Sequence, residues 1–233
     1  MPKLDRTLIR SFDLFQAMTD ADLDAILATA ESRLVPKGDA VFEQGQPAGE
    51  FFVLLNGRLK VLQVTPDGQQ IVVRFVSPGE VYGVAVALGR PDYPGTAIAV
   101  AESLTLAWAS EHWDLLVARA PRLAVNTLQT VGARLQEAHT RIREMATEEV
   151  ERRVAHAVLR LVEQAGRKTD GGVLIDFPVS RQDIAEMTGT TLHTVSRILS
   201  AWESQGLVEG GRQRILVRQP HQLFLLAERG GRT

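Results

Sequence analysis

The chain has 233 residues, 45% of them hydrophobic, and a formal charge of -2, enough for one large domain or two modest ones with real cores. It contains no cysteine, which excludes disulfides, thiolate catalysis, sulfur-ligated zinc and cysteine-held iron–sulfur clusters. No stretch approaches the roughly 20 uninterrupted apolar residues of a membrane span, and MPKLDRTLIRS lacks the apolar run of a secretory signal, so a cytoplasmic location is expected.

Residues 4 to 31 carry apolar positions at helical spacing, with Leu23, Ile26 and Leu27 on one face, and predict a short helical lead-in. From Arg33 the texture changes to short apolar runs: Leu34-Val35, Ala40 to Phe42, Phe51 to Leu55, Leu59 to Val64, Ile71 to Val76 and Ile98 to Val100. Glycines at 38, 45, 57, 68, 79 and 83 separate them, the pattern of an antiparallel sandwich or barrel. Pro66-Asp67-Gly68 is a hairpin turn in which glycine supplies the positive φ.

After Pro121 the period becomes helical. Leu128, Val131, Leu135, Ala138, Ile142 and Met145 recur at spacings of three and four, a continuous seam along one long helix that can pair with its own copy. The bland alternative is packing on the β-domain within one protomer, but a helix this long exceeds what one small barrel covers. A homodimer is expected. Residues 149 to 166 predict a further amphipathic helix, and Arg167 to Gly172 a polar loop.

Ser180 and Asp183 have capping-box spacing ahead of a short helix that ends near Thr188-Gly189. Thr190 or Thr191 can cap a second helix running to about Ser204. On it Val195, Ile198, Leu199 and Trp202 share one stripe, and His193, Ser196, Arg197, Ser200 and Ser204 the opposite one. With small Ala185 and the Gly189 corner this is the pattern of a helix-turn-helix, whose second helix fits the DNA major groove. Arg197 could fork to guanine, with His193 or Ser196 on neighbouring base edges. A plain helical hairpin with a solvated face would share much of this pattern. Residues 207 to 217 lift the reader above it, because they read as strand, glycine turn and strand, a wing that can touch the phosphate backbone, a role that suits Arg212 and Arg214. The acidic excess of the chain lies in residues 1 to 148, and residues 149 to 233 are slightly basic. Pro220 to Glu228 predicts a last helical turn or two, with GGRT frayed.

A glycine-punctuated β-domain, a long helix and a winged helix-turn-helix in this order resemble the CRP/FNR family, over essentially the full chain. The segments FEQGQPAGEFFVLLNGRLKV, SPGEVYG and VSRQDIAEMTGTTLHTVSRIL carry the resemblance. It implies an α+β protein: a cyclic-nucleotide-binding-type β-barrel (double-stranded jelly roll) over 1–120, a dimerisation helix over 121–147 and a winged helix-turn-helix over 148–233. The function implied is an effector-gated transcription regulator that binds palindromic double-stranded DNA as a homodimer and meets RNA polymerase. The DNA-contacting set would be Ser180, Arg181, Gln182, Thr191, His193, Thr194, Ser196, Arg197, Arg212 and Arg214. The effector pocket would be formed by Gly83, Val84, Ala85, Tyr93, Thr96 and Ala97.

The chain departs from the cyclic-nucleotide branch where an arginine would hold the cyclic phosphate, because Pro94-Gly95-Thr96-Ala97 stands there and no Lys or Arg occurs between Arg90 and Arg119. Cyclic AMP is therefore not the expected effector. Haem is the lesser alternative: residues 1 to 111 hold no histidine, so a ligand would come from His112, His139, His156, Tyr82, Tyr93, a methionine or the chain terminus. His193 stands where many members have glutamate, which implies a different base preference. With Asp92 to Ala97 it looks like the branch that responds to nitrogen oxides and controls denitrification genes. A ligand-sensing module acting through a protein partner, with little DNA binding, is the competing reading. Enzyme chemistry has no foothold, since the chain lacks a phosphate loop, a His-Glu metal signature and a nucleophile elbow.

Overall fold

A computed structural model describes residues 5–228; the GGRT end, the chain terminus and the first residue of the lead-in lie outside them. The chain divides into two compact units. The first runs to Val64 and resumes over Arg74–Glu137; the second comprises Thr65–Val73 and everything from Ala138 onward.

In the first unit, two short 3-10 turns at Arg6–Leu8 and Asp13–Phe15 precede helix α1 (Asp20–Leu27). The lead-in is thus less regular than its apolar spacing predicts. Helix α1 starts on a capping box, Thr19 with Asp22, and buries Leu23, Ile26 and Leu27 as expected. Eight strands follow in the chain: β1 (Glu31–Val35), β2 (Ala40–Phe42), β3 (Glu50–Asn56), β4 (Leu59–Val64), β5 (Gln70–Val76, its first four residues belonging to the second unit), β6 (Val81–Tyr82), β7 (Thr96–Ala99) and β8 (Ser103–Ala109). They form two four-stranded layers in the orders β1-β8-β3-β6 and β2-β7-β4-β5, a jelly roll rather than a closed ring.

Between the layers Phe42, Phe52, Leu54, Tyr82, Tyr93 and Ala97 belong to one core, with the Phe42 and Tyr93 rings stacked at 3.9 Å. A second core joins the lead-in to the outer face of β3 and β8. There Phe51 stacks on Trp108 at 5.3 Å, and the Trp108 indole donates to the Ile26 carbonyl at 2.8 Å. Strand β8 and helix α2 (Trp113–Arg119) have no counterpart in the sequence reading.

Helix α3 (Pro121–Thr147) is the long helix expected after Pro121. In the second unit, α4 (Val150–Ala165) buries Val154, Ala155, Ala157, Val158 and Leu161. The segment expected to be a polar loop at Arg167 to Gly172 is instead a hairpin of β9 (Gly166–Thr169) and β10 (Gly172–Ile175). Its residues are too polar to announce strands; β9 is the edge strand, paired to β10 alone, and β12 (Arg214–Val217) bonds to β10 on one side and β11 (Val208–Gly211) on the other. Helices α5 (Arg181–Thr188), α6 (Leu192–Ser204) and α7 (Pro220–Glu228) complete the unit.

Candidate nucleic-acid interface

The reader begins at the Ser180 cap. Its hydroxyl accepts from the Asp183 amide at 3.0 Å while the Asp183 carboxylate accepts the Ser180 amide at 2.8 Å, which fixes the first turn of α5. Gly189 ends α5 at φ +61, the left-handed corner that lets the chain turn into α6. Thr191 caps α6, its hydroxyl accepting from the Thr194 amide at 3.1 Å.

On α6, Val195, Ile198, Leu199 and Trp202 are 0–8% exposed, and the Trp202 indole donates to Glu151 at 2.8 Å. Burying four such side chains contributes on the order of 1.5–3 kcal/mol each, so the helix is held rigidly by one face. The opposite face is open: His193, Arg197, Ser200 and Ser204 are exposed, and Ser196 is half-buried. Among the described residues, Arg197 and His193 form no hydrogen bond or ion pair. Beyond α6, Gln213 adopts φ 55 at the tip of the wing, and Arg212 and Arg214 flank it exposed. The tip is anchored where the Val179 amide donates to the Gln213 carbonyl at 3.2 Å, just ahead of the Ser180 cap.

Not every expected contact residue is free. Arg181 donates to Glu203 at 2.9 Å and reaches the Ser196 carbonyl at 3.5 Å, which ties α5 to α6. Gln182 donates to Glu186 at 2.8 Å. The Thr191 and Thr194 hydroxyls lie 3.0 Å apart within the cap. Two participants were invisible in the sequence. Glu203 receives Arg181, and Gly210 makes room for it, since a Cβ there would lie 2.2 Å from the Glu203 Oε1.

Along α3, Leu128 (72% exposed), Leu135 (56%) and Ile142 (65%) leave an apolar stripe uncovered; Ala138 is exposed too, and Val131 half-buried. Met145 is different: it is 43% exposed, yet its methyl would lie 3.1 Å from a Cβ at Gly189, so it also shapes the helix-turn-helix corner.

Of the six expected effector positions, Ala85, Tyr93 and Ala97 share the Phe52 core and Val84 belongs to the Trp108 core. Gly83 has φ +70, and a Cβ there would lie 2.9 Å from the Phe52 ring, so glycine lets the backbone pass the aromatic stack. The Thr96 hydroxyl accepts from the Gln44 amide at 2.9 Å. At the position where the family's phosphate-binding arginine would stand, the Pro94 carbonyl accepts from Gln63 at 2.8 Å.

Of the expected haem donors, the two tyrosines are already hydrogen-bonded. The Tyr82 hydroxyl lies 2.8 Å from the Thr105 hydroxyl and burial pushes its pKa up, while Tyr93 donates to the Glu50 carbonyl at 2.7 Å. His112, His139 and His156 lie on helical segments after β8. An unanticipated cation stands nearby in the chain: Arg134 donates to the Val81 carbonyl at 2.8 Å beside the Arg74–Glu80 pair, and burial lowers its pKa to about 10.

Residues 152–225 match the Crp-like helix-turn-helix domain, and residues 32–120 the cyclic nucleotide-binding domain. The chain belongs to the CRP/FNR family of transcription regulators. It is 29% identical over 206 residues to the cyclic AMP receptor protein of Thermus thermophilus, covering 88% of this chain and 92% of the relative. It is also 28% identical to the global nitrogen regulator of Synechococcus elongatus, over 79% and 84% of the two chains. Among solved structures, the c-di-GMP responsive regulator CLP of Xanthomonas campestris shares the fold with a TM-score of 0.75 at 19% identity, over 85% of this chain and 99% of that one. In this CRP/FNR member, as in the family, an effector-binding-type domain precedes the DNA-binding domain. Among the described residues no helix is long and apolar enough to cross a membrane.

Proposed function

We propose that this CRP/FNR protein acts in the cytoplasm as a homodimer on a palindromic duplex, with α6 of each protomer in the major groove and the wing on the phosphates. The observation that carries this reading is the division of α6 into a fully packed stripe and an open stripe bearing the unpaired Arg197 and His193. The uncovered Leu128, Leu135 and Ile142 support pairing through α3. The working division is residues 1–120 for sensing, 121–147 for pairing and 148–233 for reading, with RNA polymerase as the downstream partner.

The effector is a ligand other than cyclic AMP. Support comes from the Pro94-Gly95 segment, which offers no cation; a Cβ at Gly95 would lie 2.7 Å from the Leu62 carbonyl, so this backbone is already packed. The assignment to nitrogen-oxide-responsive regulation rests on His193 and on Asp92 to Ala97. Selection of duplexes from a random library by the full-length protein, followed by footprinting, tests the reader. Enriched sites should be inverted repeats with half-site centres about one helical turn apart, or a multiple of it. Enrichment of direct repeats or of no motif would overturn the reading.

A further inference from the structure

Where the end of α3, helix α4 and the end of α5 meet inside the second unit, the chain encloses a cavity in which about 10 Å³ is open to the centre of a water molecule. That is room for one small species and too little for a nucleotide or a metabolite. Its lining is cationic. Arg141 and Glu144 come from α3 and Arg153 and Arg160 from α4, with Met145 and Met187 as apolar wall. Glu144 balances Arg160, whose Nη1 lies 2.7 and 2.9 Å from the two carboxylate oxygens. Arg153 has no such counterpart. It donates to the Thr188 carbonyl at 3.2 Å and the Glu148 carbonyl at 2.9 Å, and among the described residues it forms no ion pair. The Arg160 Nε is buried and meets no acceptor. A half-buried guanidinium without a counter-ion is costly, and a buried N–H without an acceptor adds to the cost. A water molecule would accept the N–H and leave the charge unbalanced; an anion answers both.

We propose that this cavity binds a single small monovalent anion, chloride, between Arg153 and Arg160. One negative charge balances the one cation that Glu144 leaves over from this pair, and chloride is only slightly larger than water. The ion ties the end of α3 and helix α4 to the last turn of α5, because Arg153 also holds the Thr188 carbonyl one residue ahead of the Gly189 corner. The site makes no use of the open face of α6, so it stands apart from the question of what that face reads.

The test compares the melting temperature of the full-length protein in sodium chloride and in sodium gluconate at equal ionic strength, gluconate being too large to enter. Saturable binding to the folded state should raise the melting temperature by about 3–5 °C for each tenfold increase in chloride above half-saturation. The rise should be absent in gluconate, whereas a general salt effect would act in both. Arg153→Met should melt lower in both salts and show no chloride increment. Crystals of the parent soaked in sodium bromide should show an anomalous peak inside the cavity, a reading that does not depend on the variant folding. Equal melting temperatures in the two salts, an Arg153→Met protein that keeps the chloride increment, or a bromide map with no peak between Arg153 and Arg160 would overturn the site and leave water as its occupant.

Discussion

Arg160 Nη1 lies 2.7 and 2.9 Å from the two carboxylate oxygens of Glu144, a residue only 4% exposed, so the end of α3 and the middle of α4 are joined by a buried ion pair. Breaking such a pair from one side strands a charge away from water. Glu144→Ala should cost about 3–5 kcal/mol, whereas replacing both partners by methionine should cost far less. Urea denaturation of the two variants checks this; equal losses would show that the charges are hydrated rather than buried.

Leu135 is 56% exposed on the α3 stripe and belongs to neither buried core. Leu135→Glu should therefore leave the fold intact but put like charges face to face in the dimer. Sedimentation should show monomers, and affinity for a palindrome should fall by roughly 10²–10⁴ as the second half-site is lost. A dimer that survives the substitution would place pairing elsewhere.

Two glycines should respond in opposite directions. Gly172 has φ +138 and a Cβ there would lie 2.2 Å from the Val217 carbonyl, so Gly172→Ala should destabilise by roughly 1–3 kcal/mol or more and loosen the sheet behind the wing. Gly132 sits within α3 with nothing within 4 Å of its would-be Cβ, so Gly132→Ala should stabilise by roughly 0.5–1 kcal/mol. Thermal unfolding of both proteins reads the two signs.

The reader was legible because each boundary has its own chemistry: the Ser180–Asp183 box, the Gly189 corner and the buried stripe of α6 all occur where the sequence puts them. Strand β8 escaped because Val100-Ala101-Glu102 before it carries no glycine or proline to mark the turn from β7. The β9–β10 hairpin escaped because β9 is exposed throughout and shows no alternation; it is the edge strand, paired to β10 alone, which bonds to β12 on its other side. Arg181 looks in the sequence like a free cation at a helix start. Its pairing with Glu203 depends on a residue 22 positions away and on the missing side chain of Gly210, neither of which a local pattern reveals.

The most direct test is the preference of Arg197→Ala for the selected palindrome over a scrambled duplex, measured alongside Arg212→Ala across a salt series. Arg197→Ala should lose the preference, with about 1–3 kcal/mol of discrimination gone from each half-site and its salt slope little changed. Arg212→Ala should weaken both duplexes alike and flatten the slope by about one per protomer. An Arg197→Ala protein that keeps the parent's preference would contradict the assignment of the open face of α6 as the surface that reads DNA.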